Sequence, residues 1–165
     1  MVRRNQLKKK RKKMQSKNKI EAKLVGLFCD NFVVYYKSHG YHFNVEGNTF
    51  AQDHALLEEI YDFLWEQHDV FGEQLRQMDK PAPTSLKSIL TGSSIKECTE
   101  LGESSKIMFL ELSQDFESLM GSAQELYDEA DMNACGGLAT MLGDYLKALS
   151  KLNWKLKASI GKSFK

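Results

Sequence analysis

From Ile20 onward, large apolar residues recur every three or four positions: Ile20, Leu24, Leu27 and Phe28, Val34 and Tyr35, then Tyr41. That is the spacing of one helix face. It predicts a first helix ending near His42, where "NVEGNT" breaks the pattern with a glycine and turn formers. A second helix is predicted over about residues 49–79, closed by "KPAP", whose two prolines cannot continue it. "TSLKSIL" predicts a short helix with Thr84 or Ser85 as N-cap. Two further long helices are predicted over about residues 101–129 and 135–160. No alternating pattern of strand type is present, so the fold class is all-α: a four-helix bundle with a short extra helix in the second-to-third connection. That connection is long enough for a crossover rather than a tight hairpin.

The second helix carries two faces. At about 100° per residue and with His54 set to zero, Leu57, Ile60, Leu64, Phe71, Leu75 and Met78 fall between roughly 240° and 300°, the core stripe. His54, Glu58, Asp69 and Glu73 fall between about 0° and 100°, together with Trp65 and Gly72. Imidazoles and carboxylates on one arc are metal-ligand types, although acids one turn apart are also common on a solvated helix face. Distance restricts what one copy can do. With a rise of about 1.5 Å per residue, Glu58 and Asp69 are separated by about 16 Å, far beyond ligand bonds of about 2.0–2.2 Å. Two copies packed antiparallel about a twofold axis bring His54 and Glu58 of one to Asp69 and Glu73 of the other, giving two sites per dimer. His39 and His68 have no acidic partner at a useful angle and are expected not to be ligands.

Composition changes the picture at the N-terminus. The formal net charge is +1, but residues 1–24 hold 11 Lys/Arg against one acid, Glu21, a charge of +10. The remaining residues carry −9. Residues 1–19 are therefore expected to be a basic, disordered arm and residues 20–165 the bundle domain. Arg3, Arg4, Lys8, Lys9, Lys10, Arg11, Lys12, Lys13, Lys17 and Lys19 are candidates for sequence-independent contacts with DNA phosphates. A tail that only solubilises or aids assembly is the alternative. Three cysteines without a CxxC pair suit a reducing compartment. No apolar run approaches the ~20 residues of a membrane span, and no apolar segment follows the basic start as in a secretory signal. A cytoplasmic protein without membrane association is expected.

"YYKSHGYHFNVEGNTFAQDHALLEEIYDFLWEQHDVFGEQL" resembles the signature of the Dps family, the mini-ferritins named for DNA protection during starvation. The family pattern places a histidine in an H-W-N-V-x-G-like stretch and a second histidine twelve residues on. An acid follows at +4, and a D-x-x-x-E pair comes later. His42, His54, Glu58, Asp69 and Glu73 fill all five positions. "PTSLKSIL" resembles the family's short helix and "LNWKLKASI" its last one, so the likeness covers about residues 20–160.

The resemblance implies a ferritin-like bundle and an inter-subunit ferroxidase centre binding two iron ions. His42 would share the first iron with Asp69 and Glu73 of a second copy, and His54 and Glu58 would help hold a second, weaker one. It further implies Fe(II) oxidation by hydrogen peroxide or dioxygen, ferric oxyhydroxide stored in a twelve-subunit shell, and nucleoid association if the arm binds DNA. The competing expectation is a non-enzymatic, DNA-condensing shell whose site is idle or holds zinc. Two positions depart from the family pattern: Phe43 replaces the usual Trp, and Thr140 in "DEADMNACGGLATMLGD" stands where an acid of the iron-entry pore is common, although Asp131 and Asp144 remain.

Overall fold

The computed structural model describes residues 2–101 and 104–161. Helix α1 runs Val2–Asn44, α2 Phe50–Gln77, α3 Leu86–Gly92, α4 Ser105–Met132 and α5 Gly136–Ser159. Helix α1 packs on α2 and α4 packs on α5, while α1 also contacts α4 and α3. Two helical hairpins are thus joined by a crossover that contains α3, the all-α bundle expected. Among the described residues no helix is long and apolar enough to cross a membrane.

The core follows the sequence pattern. Leu57, Ile60, Leu64, Phe71 and Leu75 of α2 are fully buried and Met78 packs at their edge. Leu24, Leu27 and Val34 face them from α1, Leu112, Phe116 and Leu126 from α4, and Leu142, Leu149 and Leu156 from α5. A buried asparagine ties three of the helices together through this core. Asn31 donates to the Leu64 carbonyl at 2.8 Å and accepts from the Tyr145 hydroxyl at 3.0 Å, tying α1 to α2 and α5. Buried polar groups cost free energy unless they are hydrogen-bonded in this way.

The crossover is anchored by Asp30, which accepts from Ser93 Oγ at 2.7 Å, from the Ser94 amide at 2.6 Å and from Ser94 Oγ at 3.0 Å. Gly92 permits this approach: a Cβ there would sit 2.8 Å from Cys29 Sγ. Burial pushes the Cys29 thiol up to about 11, so it is an unreactive packing group. Of the two N-cap candidates for α3, Ser85 takes the role and accepts from the Ser88 amide at 3.1 Å.

Two boundaries differ from expectation. Helix α4 begins at Ser105 rather than near residue 101, after the extended N-cap Ser104, in a stretch where Gly102 and Ser104 disfavour an earlier start. Helix α1 begins at Val2, so the backbone of the basic arm is helical, continuous with the bundle. Lys, Arg, Gln and Met are good helix formers, no Gly or Pro interrupts residues 2–19, and extending an existing helix avoids the cost of nucleation. The arm and the bundle are divided by burial: Lys17 to Lys19 are exposed and Ile20 is buried.

Candidate metal centre

The loop between α1 and α2, with Gly47 at φ 116°, turns the chain so that the last turn of α1 lies beside the first turns of α2. His42 and His54 meet there. His42 Nδ1 is 3.0 Å from the His54 carbonyl oxygen, and His54 Nδ1 is 2.9 Å from the His42 carbonyl oxygen. A carbonyl can only accept, so each Nδ1 carries a proton, and Nε2 is the nitrogen left to bind a metal. The rings stack with centroids 3.6 Å apart. Reciprocal hydrogen bonds of this kind orient histidine ligands and fix their tautomer. His42 is buried, His54 half-buried, and Glu58 is exposed one turn further along α2.

Asp69 and Glu73 sit on the same side of α2 but towards its other end, both exposed, lining an open groove with Phe28, His68, Gly72 and Arg76. The described residues of one chain bring together no group of three or more His, Cys, Asp or Glu side chains able to hold a metal. Within one copy the candidate histidines and the candidate carboxylates therefore stand apart and close no centre among the described residues. Beside them, Phe43, whose ring meets His42, is 70% exposed and Trp65, on the same side of α2, is 55% exposed. Large apolar groups concentrated on one face mark a contact surface.

His39 and His68 are held by rings. His39 stacks on Tyr61 at 4.1 Å and lies 4.4 Å from Phe43. His68 lies 3.9 Å from Phe28 and 5.0 Å from Phe32, and burial holds its imidazole below the usual value. The ring cluster formed by Tyr35, His39 and Tyr61 was not foreseen from the sequence. Its signal is present there, since these positions share the α1 and α2 faces that carry the ligand candidates.

The arm's side chains at Arg3, Arg4, Lys8, Lys9, Lys10, Lys12 and Lys13 lie outside the described residues. Arg11, Lys17 and Lys19 are exposed. Two of these three have carboxylate partners: Lys17 is 3.7 Å from Glu21, and Lys19 pairs with the largely buried Glu129. Lys23 pairs with Glu125 at 2.5 Å. The root of the arm is thus clasped to the C-terminal end of α4. Lysine partners hold the Glu125 and Glu129 carboxyls below the usual 4.5. A lowered carboxyl contributes stability that is complete above that value and is lost as pH falls through the lower folded-state value. The difference in urea midpoint between the wild type and a Glu125→Gln/Glu129→Gln variant is therefore expected at pH 7 and should vanish in acid below 4.5. A constant difference across that range would contradict the clasp.

Residues 21–163 match the family model described as a ferritin-like domain. A protein of Brevibacillus brevis named "DNA protection during starvation protein" is 34% identical over 129 residues, covering 76% of this chain and 84% of that one. The crystal structure of antigen TpF1 from Treponema pallidum superposes with a TM-score of 0.86 at 30% identity, covering 88% of this chain and 94% of that one. A Vibrio cholerae Dps structure, described as belonging to a broad superfamily of ferritin-like diiron-carboxylate proteins, gives a TM-score of 0.84 at 26% identity. It covers 88% of this chain and 91% of that one.

Proposed function

The chain belongs to the Dps family of ferritin-like proteins, and from that premise we propose that it is an iron-storage and DNA-protection protein that oxidises Fe(II) at inter-subunit sites. One observation carries this reading. Two stacked imidazoles engage their Nδ1 atoms and leave Nε2 to a metal, while Asp69, the nearer of the acids that would complete a centre, lies about 22 Å from His54 along α2, a distance that a second copy can close.

In an antiparallel dimer, His42 of one copy and Asp69 and Glu73 of the other hold the first Fe(II), and His54 and Glu58 help hold the second. Imidazole with carboxylate suits Fe(II), and also Mn(II) or Zn(II), rather than a soft metal. Anionic carboxylates stabilise Fe(III) more than Fe(II), so binding lowers the cost of losing an electron. Two ferrous ions side by side give hydrogen peroxide both electrons at once, and no hydroxyl radical is released. The ferric product is stored inside a homo-oligomeric shell, twelve subunits by family resemblance, whose acidic bodies attract cations. The basic arms bind DNA without sequence preference, which places the protein in the cytoplasm at the nucleoid.

Anaerobic addition of Fe(II) followed by peroxide tests the chemistry, with an expected consumption of about two irons per peroxide, the electron count of a two-electron oxidant. The same donors accept zinc. Purified protein that holds zinc and oxidises no Fe(II) would instead support a DNA-condensing shell without enzymatic activity.

A further inference from the structure

The basic arm is built as a rod. Helix α1 is continuous from Val2 to Asn44, so the arm's backbone is already helical in the single chain. Its root is held on two sides. Glu21, itself buried, pairs with Lys80 at 2.9 Å and ties α1 to the start of the crossover. Glu129 pairs with Lys19 and accepts from Asn133 at 3.2 Å, while Glu125 pairs with Lys23 at 2.5 Å, and both tie α1 to the end of α4. Helices α2 and α4 run antiparallel to α1 and end level with this root, at Gln77 and Met132. Residues 2–16 therefore extend beyond both, about 22 Å of helix at a rise of about 1.5 Å per residue.

Positive charge runs right round this rod. At about 100° per residue, the eight Lys/Arg positions from Arg3 to Lys13 leave no arc wider than about 80° empty, and no acid lies among them. A helix lying along one side of a duplex would use the cations of one face only. The major groove offers phosphates on both flanks, and a helix of about 10–12 Å diameter fits its width of about 12 Å. The charge count agrees. Arg3 to Lys13 spans about 15 Å, along which a duplex carries about nine phosphates on its two strands together but only four or five on one.

We propose that the arm binds duplex DNA as a preformed helix lodged in the major groove, with cations on opposite sides of the helix neutralising both strands. This rests on the reading above that the arm binds DNA, and adds the manner of binding. A disordered tail loses conformational entropy at every residue it orders on DNA, whereas this rod has lost it already in forming α1. The ion pairs at Glu21, Glu125 and Glu129 fix the direction in which the rod leaves the body, so it meets a duplex end-on to the bundle.

The test compares full-length variants on a short duplex at one salt concentration. Lys10→Ala and Lys10→Pro remove the same charge, but only proline interrupts the helix. The proline variant is expected to bind at least about 10-fold more weakly than the alanine variant, with thermal unfolding of the bundle unchanged. A duplex carrying glucosylated 5-hydroxymethylcytosine, whose sugars fill the major groove, is expected to bind the wild type at least about 10-fold more weakly than the unmodified duplex. Equal binding by the two Lys10 variants, or undiminished binding to the filled groove, overturns the helix-in-groove inference and leaves the arm reading standing. A wild type that binds no duplex overturns the arm reading and this inference with it.

Discussion

Replacing Asp69 and Glu73 together by alanine is expected to weaken Fe(II) binding and slow ferrous oxidation by more than about 100-fold. Losing a single supporting group behind a metal ligand already costs about 10- to 100-fold, and these two are proposed as direct ligands. The protein should still fold, since both side chains are exposed and lie opposite the stripe formed by Leu57, Ile60, Leu64, Phe71 and Leu75. Thermal unfolding should shift little while binding, followed by calorimetry, collapses. Oxidation at the wild-type rate would sink the site assignment.

The other large effect concerns DNA. Eight basic residues precede Lys17, and none of the acids of the chain lies among them. Each Lys or Arg that neutralises a phosphate releases a counterion, so eight engaged residues give a slope of log affinity against log salt of about −7 per chain. Affinity should then fall by about 10³- to 10⁵-fold between 50 and 200 mM salt. A chain beginning at residue 20 is expected to show no retardation of DNA in gels at either concentration. Lys17 and Lys19 are expected to add little, because Glu21 and Glu129 already partner them. Equal DNA binding by the full and shortened chains would remove the arm from the account.

Much of the bundle could be read before any coordinates. The α2 stripe was legible because burial of a long helix imposes a 3.6-residue period on local sequence, and Ser85 because N-caps are a local hydrogen-bonding choice. The separation of His54 and Glu58 from Asp69 and Glu73 was legible as well, since helix rise converts spacing into distance. Contacts between distant parts of the chain were not. The His42–His54 exchange of hydrogen bonds depends on how the Val45–Thr49 turn closes, and Lys19–Glu129 and Lys23–Glu125 join residues about a hundred positions apart. The helical backbone of the arm departs from expectation for a different reason: its composition offers nothing to a core, which predicts disorder, but Lys, Arg and Gln have good helix propensity and extend the helix that the bundle already forms.

The central claim is that a complete site takes its histidines from one copy and Asp69 and Glu73 from another. Mixing two inactive proteins tests it directly: His42→Ala/His54→Ala/Glu58→Ala in one, Asp69→Ala/Glu73→Ala in the other, unfolded together and refolded. In a mixed antiparallel dimer the intact histidine half of the second protein faces the intact acid half of the first, so one of its two sites is whole. Random pairing makes half of the dimers mixed, and ferrous oxidation should return to about a quarter of the wild-type rate. If each site were closed within one chain, the refolded mixture would stay as inactive as its two components.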